Sequence, residues 1–372
     1  MARSIFEEVD QAQKPEATTP KPSAGGSRKA IARWLIVLFA LVTAMIVVGG
    51  LTRLTDSGLS ITEWAPISGA IPPLSDSAWM AEFEKYQQTP EFQLQNSAME
   101  LSDFKTIFWW EWAHRFLGRF VGLVWAVGFF WFLARRAIPA GWTGRLLTLG
   151  VLGGLQGAIG WWMVASGLTG RKVDVASYRL ATHLGLAFVI LGLIAWYVMK
   201  LMRDEVDLLQ ARRQRDLGLG RLGAVLTGVI FLQILLGALV AGIDAGRGFP
   251  TWPLMNGEFL PSESFAYTPG WSNFFENPAL VQFNHRILAY LVFLFGAYAW
   301  WRSRANANRT TRTAFDWMLA LMFGQVVLGI ATAIYLAPLS VAILHQIGAV
   351  VLFVLALRAR FVAIYPARQS LR

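Results

Sequence analysis

Long apolar segments alternate with short polar links along most of this chain. A membrane-spanning helix needs about 20 predominantly apolar residues, and eight segments meet that requirement. They lie near residues 31–51, 112–133, 146–166, 180–201, 222–242, 283–301, 314–336 and 340–361. The pattern therefore predicts an all-α integral membrane protein with eight transmembrane helices.

The charges in the polar links predict the side of the membrane on which the termini lie. The links after the second, fourth and sixth spans are rich in Lys and Arg. The opposite links are poor in them, since residues 243–280 contain only Arg247 and residues 337–340 contain none. Cytoplasmic links carry the excess of basic residues, so both termini are predicted to be cytoplasmic. The net charge of +10 is then mainly a topological signal, with a patch for anionic lipid as the alternative and no nucleic-acid partner expected.

Composition agrees with a membrane protein and narrows its chemistry. Hydrophobic residues make up 55% of the chain, charged residues 15%, and the mean hydropathy is +0.46. Cysteine is absent, which excludes disulfides, iron–sulfur clusters and covalent attachment of haem through CxxCH. No HExxH motif for zinc hydrolysis occurs, and a di-metal carboxylate site would need several acids at one depth, where only Glu111 qualifies.

Composition shifts along the chain predict its domain organisation. Residues 1–29 are polar and interrupted by Pro and Gly, which is typical of a disordered tail, here a cytoplasmic one. The predicted units that follow are a first four-helix bundle at 30–203, a cytoplasmic linker at 204–221, a second four-helix bundle at 222–363 and a C-terminal tail at 364–372.

The two halves of the chain resemble each other, which indicates an internal duplication. Residues 111–115 read EWAHR and residues 282–286 read QFNHR, and the Asp, Gly and Trp positions within 56–64 recur within 244–252. Each half holds an even number of spans, so both halves would insert in the same orientation. The sequence therefore predicts two parallel-repeat bundles, related by an axis along the membrane normal.

The histidines carry the clearest chemical signal. The chain has four, on the second, fourth, sixth and eighth predicted spans and all about one or two helical turns from the predicted outer surface: His114, His183, His285 and His345. Imidazole is a good iron ligand, and two rings at equal depth can hold one flat macrocycle between them. Hydrogen bonding between helices is the alternative role for a membrane His, but four in duplicated contexts favour two haem sites.

Charged neighbours distinguish the two predicted sites. Glu111 lies three residues before His114, on nearly the same helical face, whereas Gln282 holds the matching position in the second half. A carboxylate beside a haem can accept a proton or stabilise a developing cation; a position in the wet interface is the alternative. The first site is thus predicted to be chemical and the second to hold haem or transfer electrons. Arg115 and Arg286 can pair with haem propionates or extend to the interface as snorkelling side chains.

These residues together resemble the haem A synthase family over nearly all of residues 30–365. The resemblance rests on GGLTRLTDSGLSITEW at 49–64, EWAHR at 111–115, GLQGAIGWWMV at 154–164, RLATH at 179–183, FNHR at 283–286 and LHQIGA at 344–349. The long first outer loop and the absence of Cys look like the mitochondrial and alphaproteobacterial branch, and differ from the branch with a cysteine pair in an outer loop.

The resemblance implies an oxidoreductase that converts the ring-position-8 methyl of haem O into the formyl group of haem A, for cytochrome c oxidase. It implies that His114 and His183 bind the substrate haem, with Glu111 as the catalytic acid residue, and that His285 and His345 bind a haem B cofactor. Two other functions stay open: a di-haem b-type electron-transfer cytochrome, and a non-catalytic haem-delivery or oxidase-assembly protein.

The expected surroundings follow from this assignment. The protein is predicted to lie in the bacterial cytoplasmic (inner) membrane as a multi-pass protein, with its haem sites near the outer face. Expected partners are haem O, the lipid bilayer, a haem O synthase and an electron donor that the sequence does not identify; a homo-oligomer is left open. The loop at 53–107 can cap the first site or form a simple ordered surface loop.

Overall fold

The computed structural model describes residues 24–168 and 173–368, and within them the regular structure is helical, with no β-strand. This confirms the predicted all-α class. The helices are α1 (Ala24–Leu54), α2 (Asp76–Gln87), α3 (Pro90–Leu94), α4 (Leu101–Ala134), α5 (Thr143–Val164), α6 (Ser177–Leu201), α7 (Glu205–Arg213), α8 (Leu217–Gly242), α9 (Asn273–Glu276), α10 (Pro278–Ser303), α11 (Arg309–Ile334) and α12 (Leu339–Ile364). Short 3-10 turns lie at Ser68–Ala70, Ala245–Arg247, Ser262–Phe265 and Gly270–Ser272.

Eight of the helices in the described residues are long and apolar enough to cross a membrane, namely α1, α4, α5, α6, α8, α10, α11 and α12. Six contain a whole predicted apolar segment, and α5 and α11 end two residues before theirs, so the prediction of eight transmembrane helices is confirmed. Apolar side chains on their outer faces, such as Leu123 and Val127 of α4, remain exposed. Lipid tails are as apolar as these side chains, so such exposure suits a bilayer.

The helix ends differ from the predicted spans in places. Helix α4 begins at Leu101 rather than near residue 112, because the side chains of Glu100 and Asp103 form a capping box at its start. Helix α1 begins at Ala24, inside the predicted tail at 1–29, and α7 lies inside the predicted linker at 204–221. Residues 1–23 and 369–372, the remainder of the two predicted tails, lie outside the described residues.

The spans pack as two closed rings of four helices. Helices α1, α4, α5 and α6 contact one another in that cyclic order, and α8, α10, α11 and α12 do the same. The rings therefore coincide with the two halves of the chain. The domain limits, the symmetry axis and the cytoplasmic side of the termini stay predictions.

The rings meet through α1, α6, α8 and α12. Leu191 of α6, Leu226 of α8 and Phe353 of α12 are buried in the main apolar core. A polar contact crosses the same junction, where Gln346 Nε2 on α12 donates to the carbonyl oxygen of Ile46 on α1 at 2.6 Å. Close packing and such hydrogen bonds are what hold helices together in lipid, so the two rings form one packed unit.

The loop between α1 and α4 is ordered and covers the start of α4. Trp79, Phe83 and Tyr86 of α2 pack against Phe104 and Phe108 of α4. Helix α2 itself begins at a Ser75 cap, whose Oγ accepts from Ala78 N at 3.2 Å. The aromatic cluster thus fixes the loop over the first turns of α4. His114 lies between three and four helical turns further along the same helix.

Candidate functional site

Each of the four predicted histidines lies against a glycine on the span that precedes its own. A side chain at these glycines would meet the imidazole ring, since Cβ contacts near 3 Å or below force a neighbour to move. The distances from an ideal Cβ to the imidazole Cε1 are 2.9 Å for Gly49–His114, 2.8 Å for Gly160–His183, 3.1 Å for Gly237–His285 and 3.3 Å for Gly329–His345. The four rings therefore share one packing arrangement, repeated along the chain.

The structure brings the histidines together in the predicted pairs. His114 and His183 come from α4 and α6, which are opposite members of the first ring, and His285 and His345 come from opposite members of the second. Within each pair the residues lie in electrostatic range of each other. All four are half-buried, so each ring keeps an accessible part. Two facing imidazoles across a helical ring are a suitable donor set for one haem iron.

Two glutamines hold one histidine of each pair. Gln156 Nε2 donates to the carbonyl oxygen of His183 at 3.0 Å and lies 3.2 Å from its Nδ1. Gln233 Nε2 donates to the carbonyl oxygen of His285 at 3.0 Å and lies 3.0 Å from its Nδ1. One amide thus contacts both the ring and the backbone of its histidine. Such contacts to the far nitrogen fix the orientation of a ligating imidazole.

The other two histidines lack this contact. The Nδ1 atoms of His114 and His345 are buried and have no hydrogen-bond partner among the described residues. Buried polar atoms are normally paired, so these two rings lack the hydrogen bond that orients His183 and His285.

Glu111 is buried and fully engaged. Its side chain is 3% exposed; Oε2 accepts from Ser60 Oγ at 2.7 Å and from Ile61 N at 2.8 Å. Oε1 accepts from Arg115 Nη2 at 2.6 Å and from Arg115 Nε at 3.0 Å. The low exposure does not fit the alternative of a Glu in the wet interface. The carboxylate is held in one orientation, with its charge balanced by Arg115, which lies one turn beyond Glu111 and directly follows His114.

The two predicted arginines bind loop carbonyls in matching ways. Arg115 donates to the carbonyl oxygens of Ile61 at 2.8 Å and Glu63 at 3.2 Å. Arg286 donates to those of Phe249 at 2.7 Å and Thr251 at 2.8 Å. Each arginine therefore ties the loop after the preceding span to its own His helix. Contact with haem propionates stays a prediction. It would have to use guanidinium N–H groups that do not already donate to the loop carbonyls.

A charged cluster links the two halves at the same end of the molecule. Arg53 at the end of α1 lies 2.7 Å from Asp56, 2.9 Å from Asp244 after α8 and 3.6 Å from Asp174 before α6. Asp56 and Asp244 both adopt positive φ, 48° and 51°, where Asp is among the few tolerant residues. The same turn thus follows α1 and α8, and Arg53 joins the two turns.

The glutamines were missed among the predicted site residues. The sequence carried a signal for them: Gln156, Gln233 and Gln325 each stand four residues before one of the glycines that contact a His ring. A Gln and a Gly at this spacing share one helical face.

Comparisons with known proteins place the chain in a family. Residues 32–357 match the COX15-CtaA family, described as cytochrome oxidase assembly protein. The chain is 63% identical over 376 residues to a protein named Heme A synthase from Dinoroseobacter shibae, covering 100% of this chain and 98% of that relative. Proteins of the same name from Ruegeria pomeroyi and Paracoccus denitrificans are 59% identical over 375 residues and 57% identical over 377 residues, covering 100% of this chain and 99% and 98% of the relatives. The resemblance drawn from the sequence is thereby confirmed, and the chain belongs to the haem A synthase family.

Proposed function

We propose that this protein is a haem A synthase, an oxidoreductase that acts on haem O to make haem A. The observation that carries the proposal is full-length identity of 57–63% to relatives that bear this name. The two His pairs on opposite helices of each ring fit it, because imidazole is a good ligand of haem iron and each pair could hold one haem.

The two pairs have different roles in this proposal. His114 and His183 bind the substrate haem O, and His285 and His345 bind a haem B cofactor. Support comes from a chemical difference between the sites: Glu111 is a buried carboxylate beside the first pair, whereas Gln282, equally buried at the second, carries no charge. When bound, the haem groups supply the redox chemistry that side chains lack.

Glu111 takes part in the oxidation as the proton-accepting residue. Removing hydrogen from a methyl group releases protons and places positive charge next to the ring. A fixed carboxylate in low dielectric can accept a proton or stabilise that positive charge. The Ser60 hydroxyl that donates to Glu111 can reverse its role and accept when the carboxyl is protonated. Arg115 keeps the carboxylate oriented during the change.

Neither alternative function explains the asymmetry between the sites. A di-haem electron-transfer cytochrome needs no buried carboxylate at one His pair, and neither does a haem-delivery or assembly protein. The comparisons support neither alternative.

The proposal includes a location and partners. The protein lies in the bacterial cytoplasmic membrane with both termini inside, and its haem sites face the outer side, as the charge of the links indicates. A haem O synthase supplies the substrate, and an electron acceptor or donor of unassigned identity completes the redox cycle.

The test is the identity of the haems extracted from the purified protein, expressed with and without a haem O-producing partner. Chromatography with mass detection is expected to find haem A or its hydroxylated precursor in the wild type. Glu111→Gln is expected to accumulate unmodified haem O at normal loading. Glu84→Gln, an exposed acid of the α1–α4 loop, is the matched control. Two equivalents of unaltered haem B, whatever haem is supplied, would instead support the electron-transfer cytochrome.

A further inference from the structure

The position four residues before each ring-contacting glycine differs in one span only. This residue lies one turn away from the glycine on the same helical face. It is Gln156 in α5, Gln233 in α8 and Gln325 in α11, but Met45 in α1. The first ring therefore has one such amide and the second ring has two.

The amides of Gln156 and Gln233 each contact the ring of one histidine, as described above. Their Oε1 atoms are buried and have no partner among the described residues. An imidazole that binds iron through Nε2 presents Nδ1–H as a donor, and an amide oxygen beside it is a suitable acceptor. His183 and His285 thus each have a polar group placed to hold the ring as a ligand.

Gln325 stands on the helix against which His345 packs, but it does not hold that ring. Its side chain contacts Gly348, three residues after His345. Its Nε2 is buried without a partner among the described residues, so this amide is available to form a hydrogen bond. His345 Nδ1 is itself unpaired there, and Gln233 alone contacts a ring of the second pair.

Met45 occupies the matching place beside His114. Its Cε lies 3.6 Å from an ideal Cβ on Gly118, one turn after His114. A thioether is at most a weak acceptor, and His114 Nδ1 is buried and unpaired in the structure. His114 is therefore the one histidine of the four whose glycine helix offers no amide.

We infer that His114 is the exchangeable axial ligand of the first site and that His183 is the fixed one. The inference rests on the proposed function, in which the first pair binds haem O. Two firmly held imidazoles would leave no iron position for a small molecule, and a ligand without a hydrogen bond to its far nitrogen is held less firmly.

Carbon monoxide is the probe, because it binds ferrous haem only where an axial position opens. In protein purified with haem O and haem B, His114→Ala is expected to retain haem O and bind carbon monoxide fully, whereas His183→Ala is expected to lose haem O.

Met45→Gln adds an amide of similar size beside His114, and one hydrogen bond is expected to lower the carbon monoxide-reactive fraction about fivefold. Gln156→Met is expected to raise it. Gln233→Met is the matched change in the second ring, and it is expected to leave the carbon monoxide-reactive fraction of haem O unchanged. Haem B content shows that the first-ring variants have folded.

The opposite pattern would overturn the inference: loss of haem O from His114→Ala, retention by His183→Ala, and no effect of Met45→Gln. Normal formation of haem A by the wild type alongside that pattern would leave the proposed function standing. A wild-type protein that neither binds haem O nor forms haem A would overturn both the inference about His114 and the proposed function.

Discussion

At the scale of single residues, the described sites depend on small groups as much as on the histidines themselves. Gly49 and Gly160 leave the space that the rings of His114 and His183 occupy. The ring-contacting glycines are needed because the helices approach closely there, and not for their backbone freedom, since no positive φ is found at them. A glycine at this place is therefore sensitive to any added atom.

Gly160→Ala is expected to lower the amount of haem in the first site, because its Cβ would lie 2.8 Å from the Cε1 of His183. Gly157→Ala on the same helix is the matched control, since no heavy atom lies within 4 Å of its Cβ position. Haem O per protein, measured after extraction, distinguishes them. Equal loading of the two variants would contradict the packing role.

His285→Ala and His345→Ala are each expected to reduce tightly bound haem B and change its redox spectrum, because each removes one proposed axial ligand. The protein should remain in the membrane fraction, since its packing depends on the helices around the site. Haem B content of purified protein is the measurement. Unchanged haem B in both variants would rule out this pair as the cofactor site.

At the scale of elements, the α1–α4 loop contains an acid that the sequence did not reveal as buried. Glu91 on α3 is 3% exposed and its Oε2 has no hydrogen-bond partner among the described residues. Burial, with a smaller contribution from the negative charge of Glu111, raises the pKa of Glu91 from 4.5 to about 8, against the opposing hydrogen bond from Tyr86. The folded loop therefore holds this carboxyl in its neutral form at pH 7.

The α1–α4 loop is expected to lose stability as pH rises from about 4.5 to 8, the interval set by the two pKa values of Glu91. Below this interval both states are protonated; within it only the folded loop keeps the proton, at a cost of up to about 1.4 kcal/mol per pH unit. Amide hydrogen exchange in α2 and α3 measures the effect. Glu91→Gln should flatten the dependence and Glu84→Gln should not; identical pH profiles for wild type and Glu91→Gln would contradict it.

How far the sequence predicts these elements depends on the length of each pattern. The eight spans and the pairing of the histidines follow from apolar runs and from the repeat, which are strong over many residues. The start of α4 at Leu101 could not be predicted from hydropathy, because its first turns are polar and depend on a capping box and on aromatic packing by α2. The partner of Glu111, Ser60, lies 51 residues away in sequence, and only the folded loop brings the two together.

At the scale of the whole molecule, charged contacts hold both ends of α1, and at one end they reach the second ring. Arg53 binds Asp56 and Asp244 at one end, and Arg28 near the start of α1 binds Glu205 and the carbonyl oxygens of Lys200 and Arg203 at the other. The central helices are thus fixed by charge as well as by packing.

Arg53→Gln is expected to lower the thermal unfolding temperature of the detergent-solubilised protein. The change removes a side chain that is 13% exposed and contacts three carboxylates, which are themselves 39–57% exposed. Because solvent screens these contacts, the expected loss is about 1 kcal/mol. Arg247→Gln is the control, because Arg247 lies 3.9 Å from Asp244 and is half exposed. Equal unfolding temperatures of the two variants would show that the Arg53 cluster does not join the halves.

The hydrogen bond from Gln346 to Ile46 has a further consequence for the molecule. Gln346 follows His345 directly in the chain, and Ile46 lies three residues before Gly49, which touches His114. A continuous path of covalent bonds, one hydrogen bond and one ring contact thus runs from the second His pair to the first. Electrons moving between centres held by the two His pairs would have a bonded route through this single amide, which lies in the interface between the duplicated halves.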